Sequence, residues 1–285
     1  MMNNTGIIPI NKPISWTSFD VVNKIKHLVR PRKVGHLGTL DPMATGVLLV
    51  TVGKATRLFD LMQEKTKTYI ARFKFGYSTD TLDQTGKINS TTEHIPTLED
   101  IEKVLPEFLG EIEQIPPKYS AKSVNGKRAY ELARNDVDFE LKPKLVSIHQ
   151  IEILDYSNAE LEIKIVCGSG TYIRSIGRDI ANKVKSLATM TELVRTDVDN
   201  IDLSKCLDIQ SLDKDNINYS IIGLNEILSL PKLELSSIDI QKLLNGQTVL
   251  VDNIDGLYKL NEDEKVLALV KIEKNRAKMS VFLAD

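Results

Sequence analysis

Between Val34 and Val52 the chain reads VGHLGTLDPMATGVLLVTV, and no other stretch constrains its fold as tightly. A polar loop punctuated by Gly35, Gly38, Pro42 and Gly46 runs straight into an apolar strand, Val47 to Val52. One carboxylate, Asp41, therefore sits at the mouth of that strand. An Asp-Pro pair commonly opens a turn, with the carboxylate capping nearby backbone N–H groups. Alternatively, Asp41 is a nucleophile or electrostatic catalyst held rigidly by the glycines and proline around it. Taken alone, the residues leave both readings open.

At 285 residues and 42% hydrophobic content, the chain can bury one large domain and a small one. No run of about 18 apolar residues exists, and the start MMNNTGIIPINKP has neither a basic n-region nor a long apolar stretch. Cytoplasmic residence is the expectation. The two cysteines, Cys167 and Cys206, form no metal-ligand spacing and no disulfide framework, which suits a reducing compartment. Cys167, inside ELEIKIVCGSG, reads as a small buried hydrophobe. The four histidines, His27, His36, His94 and His149, are too scattered for a zinc motif.

The formal net charge of −2 conceals an asymmetry, because residues 1–90 hold 13 Lys and Arg against 6 Asp and Glu. From Val21 to Leu40 there are five cations, Lys24, Lys26, Arg30, Arg32 and Lys33, and no acid. Such a run is often only a solvated helix face. Here it directly precedes the Asp41 loop, where a phosphate backbone would have to lie if the partner is RNA. A second basic excursion, QIPPKYSAKSVNGKRAYELARN, sets Lys118, Lys122, Lys127, Arg128 and Arg134 against one acid, Glu131. It reads either as an RNA clamp or as a plain surface hairpin and helix.

GIIPINKP reads as an opening strand. Thr17 with Asp20 three residues on starts a helix to about Val29, with Phe19, Val22, Ile25 and Leu28 at helical spacing and Pro31 as its stop. Strands are expected at Tyr69 to Phe75, with a short helix around Ala55 to Met62 before them. Thr97 with Asp100 starts another helix that ends near Gly110. LVSIHQIEILDY and AELEIKIVCG, separated by Ser157-Asn158, form a hairpin pattern, and GTYIRSIGRDIANKVKS opens a helix. Leu230-Pro231 reads as a linker to a small C-terminal module. No internal repeat or low-complexity segment is present.

The string GHLGTLDPMATGVLLVTVGKATRL, residues 35 to 58, closely resembles the signature of bacterial tRNA pseudouridine-55 synthases, which isomerise one uridine in the T-arm loop. PPKYSAKSVNGKRAYELAR, GTYIRS and TELVRT extend the likeness, which is close over residues 6 to about 200 and looser beyond. It implies an α+β pseudouridine synthase fold: a central mixed, mainly antiparallel sheet flanked by helices, and a small β-rich PUA-like C-terminal domain. The implied division is residues 1–229 for catalysis, with a basic RNA-clamp insertion at about 116–142, and residues 230–285 for the PUA-like domain. Ser15 and Asn135 stand where a glycine is common in the family.

The resemblance also implies roles. Asp41 would be the catalytic carboxylate, kept ionised by Arg174 through two parallel hydrogen bonds, and Asp83 would orient that arginine. Tyr69 would stack on the target uracil and assist proton removal from C5. Tyr172 and Leu193 would line the same pocket. His36 would replace the extruded base or contact displaced RNA, and Arg57 would meet a phosphate. Since the isomerisation involves no redox change and gains no atom, no cofactor and no metal is expected. The expected partner is the T-arm stem-loop of tRNA, with no membrane, and the chain is expected to act as a monomer. Two rival readings are an RNA-binding protein that has lost its chemistry and an unrelated hydrolase using His36 and Asp41. The retained carboxylate opposes the first, and the lack of an accompanying nucleophile motif opposes the second.

Overall fold

The computed structural model describes residues 5–284 apart from Pro31, Glu64, Asn125, Asp136, Tyr219 and Glu264. The strand Lys67–Phe75 shows how pattern becomes architecture. Its residues alternate buried and half-buried along the whole length, placing Lys67, Tyr69, Ala71, Phe73 and Phe75 on one covered face. The neighbouring Glu160–Cys167 alternates the same way, with Leu161, Ile163, Ile165 and Cys167 inward. Each large side chain moved out of water contributes about 1.5–3 kcal/mol, so a one-residue slip in register would expose the whole set.

Among the described residues, these strands belong to an 11-stranded sheet. Its main path runs Leu207–Asp208, Gly6–Lys12, Thr45–Val52, Ala188–Val198, Lys67–Phe75, Glu160–Cys167, Lys144–Ser157 and Gly110–Gln114. Two neighbour pairs on this path are parallel, Leu207–Asp208 with Gly6–Lys12 and Thr45–Val52 with Ala188–Val198; the others are antiparallel. The sheet is thus mixed and mainly antiparallel, as expected. The Lys144–Ser157 and Glu160–Cys167 hairpin turns on Asn158 and Ala159, both at positive φ (53° and 61°).

Thr45–Val52 is buried on both faces from Gly46 to Val52, with Thr45 alone half-buried, and it feeds two cores. Leu48 and Val50 join the cluster that contains Phe73, Ile163, Ile176 and Ile180, while Val47 and Leu49 face Ile7, Leu58 and Val198 on the other side. A strand enclosed in this way requires the continuous apolar run that its sequence carries.

Helix Ser18–Leu28 begins at a capping box in which Thr17 and Asp20 satisfy each other's backbone N–H groups, and Leu98–Val104 begins the same way with Thr97 and Asp100. The buried stripe of the first helix differs from the spacing read in sequence. Val21, Val22 and Ile25 are buried, whereas Phe19 remains 65% exposed. The expected stop at Pro31 lies outside the described residues. The second helix gives way at Leu105 to a 3₁₀ turn, Leu105–Phe108, because Pro106 cannot continue an α-helix. Helix Ile173–Lys183 packs Ile176 and Ile180 against the main core.

At the C-terminal end, helix Ser237–Leu244 accompanies a four-stranded sheet ordered Val249–Leu250, Arg276–Phe282, Lys265–Glu273 and Gly256–Glu262. Leu243, Leu260, Val270 and Ile272 form its own core. On its other side Val266, Leu269 and Leu283 join Ile7, Leu49 and Leu58 of the main sheet, so the two sheets share a dry seam. The Leu230-Pro231 segment is held against this sheet: Lys259 donates its N–H to the Pro231 carbonyl, and Leu233 donates to Lys259.

Candidate active site

The loop that carries Asp41 is fastened from beneath by the chain's opening segment. Ser18 Oγ accepts from the Leu40 N–H at 2.9 Å, and the Ser15 N–H donates to the Pro42 carbonyl at 2.8 Å. Lys12, fully buried, donates through Nζ to the carbonyls of Pro13, Trp16 and Pro42. Burial lowers its pKa to about 8, although the nearby Asp41 and Asp20 carboxylates favour its charge. Ser15 adopts φ 67°, in the left-handed region where a glycine meets no Cβ penalty.

Asp41 faces Arg174 at the start of helix Ile173–Lys183. Nε donates to Oδ2 at 2.9 Å and Nη2 to Oδ1 at 3.0 Å, the two-pronged geometry a planar guanidinium favours. The other donors meet the Thr81 carbonyl at 2.9 Å, the Tyr119 carbonyl at 3.1 Å and the Asp83 carboxylate at 3.4 Å. The guanidinium thus donates to Asp41 twice and to two backbone carbonyls, and it forms an ion pair with Asp83 as well. Asp83 is itself fixed, because its Oδ1 accepts from Thr81 Oγ1, the Thr85 N–H and Thr85 Oγ1.

Accessibility separates the two carboxylates. The Asp41 side chain is 31% exposed, against 6% for Asp83 and 7% for Arg174. Asp41 alone among the three can meet an incoming substrate. Burial pushes its carboxyl above the ordinary value, Arg174 pulls it back, and the Asp83 charge adds to the rise.

Tyr69 is buried and lies across the strand ladder from Arg195. Burial raises its phenol pKa, and the Arg195 charge opposes the rise. Leu193, also buried, pairs with Ala71 on the same ladder. Tyr172 stands directly before the helix. Its backbone N–H donates to Gln114 Oε1 at 2.8 Å, and its phenol pKa is raised by burial and lowered by Arg174. His36 is half-buried in the strand Val34–Leu37, its Nδ1 without a hydrogen-bond partner, and burial and Arg195 both disfavour its protonation. Arg57 stands apart from this group. Its Nη1 donates to the Phe282 carbonyl of the C-terminal sheet at 2.9 Å, leaving the side chain at the surface.

The basic excursion includes a short hairpin, Ser123–Val124 with Lys127–Arg128, and the helix Ala129–Arg134. Its root is tied to the site through Tyr119, through the Gln114 amide on Tyr172, and through the Ile115 carbonyl, which accepts from Ser175 and Arg178. Among the described residues, no three His, Cys, Asp or Glu side chains converge as a metal site would require, and no helix is long and apolar enough to cross a membrane.

Lys12 and Arg195, buried beside the loop that carries Asp41, are not singled out by the sequence. Each is a fully buried cation whose cost is offset by backbone carbonyls from other segments.

The family described as "TruB family pseudouridylate synthase (N terminal domain)" matches residues 26–173. The tRNA pseudouridine synthase B of Clostridium kluyveri is 40% identical over 245 residues, covering 86% of this chain and 85% of its own. The chain belongs to the TruB family of pseudouridylate synthases. A second family relative, from Dehalococcoides mccartyi, is 38% identical over 278 residues, covering 94% of this chain and 92% of its own. Among solved structures, the archaeal box H/ACA sRNP Nop10-Cbf5 complex contains a chain with TM-score 0.72 and 21% identity, covering 99% of this chain and 86% of that one. This likeness in fold covers the C-terminal sheet as well.

Proposed function

We propose that the protein isomerises uridine 55 in the T-arm loop of tRNA to pseudouridine, with Asp41 as the catalytic carboxylate. The observation that carries this reading is the disparity within one ion cluster: Asp41 is held by two hydrogen bonds from Arg174 yet keeps an accessible face, while Asp83 and Arg174 are sealed. Relatives named tRNA pseudouridine synthase B supply the substrate class.

The target nucleotide must leave the T-loop stack to bring its C1′ to Asp41. When the N1–C1′ bond breaks, its electron pair stays on the uracil and positive character develops at C1′, where an ionised carboxylate is stabilising. The freed ring then turns, C5 bonds to C1′, the C5 proton leaves and N1 gains one. No electron or atom is taken from outside. Tyr69 supplies a flat partner for the ring and a hydroxyl near it, with Tyr172 and Leu193 completing the wall.

Residues 1–229 act as the catalytic unit, and the insertion at about 116–142 clamps RNA through its exposed cations. The module 230–285 serves as a PUA-like RNA-binding addition. His36 meets displaced RNA and Arg57 a phosphate. The chain works as a monomer in the cytoplasm.

The test is incubation of the purified protein with unmodified tRNA transcript tritiated at uracil C5. Tritium release that maps to position 55, without added cofactor, is the expected outcome, and a transcript with cytidine at that position should release none. Binding of tRNA with no release would favour the silent RNA-binding reading.

A further inference from the structure

Arg195 heads the fully buried side chains by volume, at 1% exposure. Among the described residues no carboxylate lies within ion-pair distance of it. A guanidinium stays charged in proteins, so burying it without a counter-ion is expensive. Its bonds show what that cost secures. Nε donates to the Val47 carbonyl at 2.7 Å and Nη2 to the Gly38 carbonyl at 3.1 Å. Gly38 and Val47 bracket the loop that carries Asp41, so one side chain staples the loop at both ends.

The backbone repeats the attachment. Gly46 pairs in parallel with Arg195, at φ 106°, and a Cβ there would stand 2.2 Å from the Arg195 carbonyl oxygen. Across the ladder from Arg195 is Tyr69. Around the pair stand Lys67, Cys167, Cys206, His36 and Lys12, with Asp41 as the acid that influences Tyr69. Arg195 is paired directly across the ladder from Tyr69, and its charge opposes the rise that burial imposes on the phenol.

We infer that Arg195 is a positioning residue for the isomerisation: it staples the Asp41 loop and sets its unpaired charge behind Tyr69, favouring negative charge on that hydroxyl and on the uracil beside it. This rests on the function proposed above. The uracil carries the electron pair of the broken glycosidic bond, and a fixed cation in a dry site acts on such charge without reorganisation.

The test replaces Tyr69 with 3-fluorotyrosine and follows its ¹⁹F signal against pH in the parent protein, Arg195→Gln and Arg195→Lys, alongside single-turnover rate and tRNA affinity. Arg195→Gln should raise the phenol midpoint by about one pH unit or more and slow isomerisation about 100-fold, with tRNA affinity kept within about threefold. Arg195→Lys should leave the midpoint near the parent's, yet lose about tenfold in rate because an ammonium cannot span both carbonyls. A midpoint unmoved by Arg195→Gln overturns the inference, as does a parental rate in both variants. Should Arg195→Gln fail to fold, Arg195→Lys decides: a tenfold loss with an unmoved midpoint supports the inference, and a parental rate overturns it. If the parent itself isomerises nothing, the functional reading fails, while the fluorine titration still decides the Arg195–Tyr69 coupling.

Discussion

Arg174 serves Asp41 and Asp83 at once, with two hydrogen bonds to the first and a 3.4 Å contact to the second. One guanidinium thus balances two carboxylates in a largely dry site, and each would be costly to ionise alone.

Removing that guanidinium exposes the imbalance. Arg174→Met should abolish isomerisation and destabilise the fold by about 3–5 kcal/mol near neutral pH. Without Arg174 the Asp41 carboxyl, already above its ordinary value, rises further. A raised acid pKa favours the folded state below the unfolded value and penalises it as pH rises through the folded one. Urea titrations should therefore show the variant approaching the parent towards acid pH, and a deficit independent of pH would contradict this.

Lys12 gives the opposite kind of pH dependence. Its pKa falls to about 8 from 10.5, so between those values the unfolded chain binds more protons and stability rises with pH. The difference in unfolding free energy between the parent and Lys12→Gln should grow in the parent's favour from pH 8 to 10.5 and be level below 8.

At Gly46 the contact is steric. Gly46→Ala would drive a methyl group to 2.2 Å from the Arg195 carbonyl oxygen and cost about 3 kcal/mol or more, since backbone on both sides must shift. Thermal unfolding should register this as a large loss, with activity falling further as the Asp41 loop is displaced.

Ser15 offers a gain. At φ 67° its Cβ costs about 1–2 kcal/mol, and glycine would return part of that as unfolded-state entropy. Ser15→Gly should stabilise by about 0.5 kcal/mol at unchanged isomerisation rate, and a lower melting temperature would contradict the assignment of strain.

Local signals in the sequence were legible where one interaction decides the structure. Thr17 with Asp20, Thr97 with Asp100, the turn at Asn158 and the run Val47–Val52 became caps, hairpin and central strand. Pattern failed where tertiary packing chose among helix faces, leaving Phe19 exposed and burying Val21. Resemblance named Asp41, Asp83 and Arg174, and these three come together as one ion cluster in the candidate site. Lys12 and Arg195 were hidden because burial of a cation depends on carbonyls contributed by distant segments, such as Pro42 for one and Gly38 for the other. The place of Arg57 against Phe282 likewise depends on how the C-terminal sheet docks.

The central claim is that the accessible carboxylate of Asp41 does the chemistry. Single-turnover conversion of tRNA by Asp41→Asn, measured beside tRNA affinity, tests it most directly, because the amide keeps the shape and removes the charge. The account predicts no detectable pseudouridine at position 55 with affinity within about threefold of the parent. Conversion at the parental rate would contradict it.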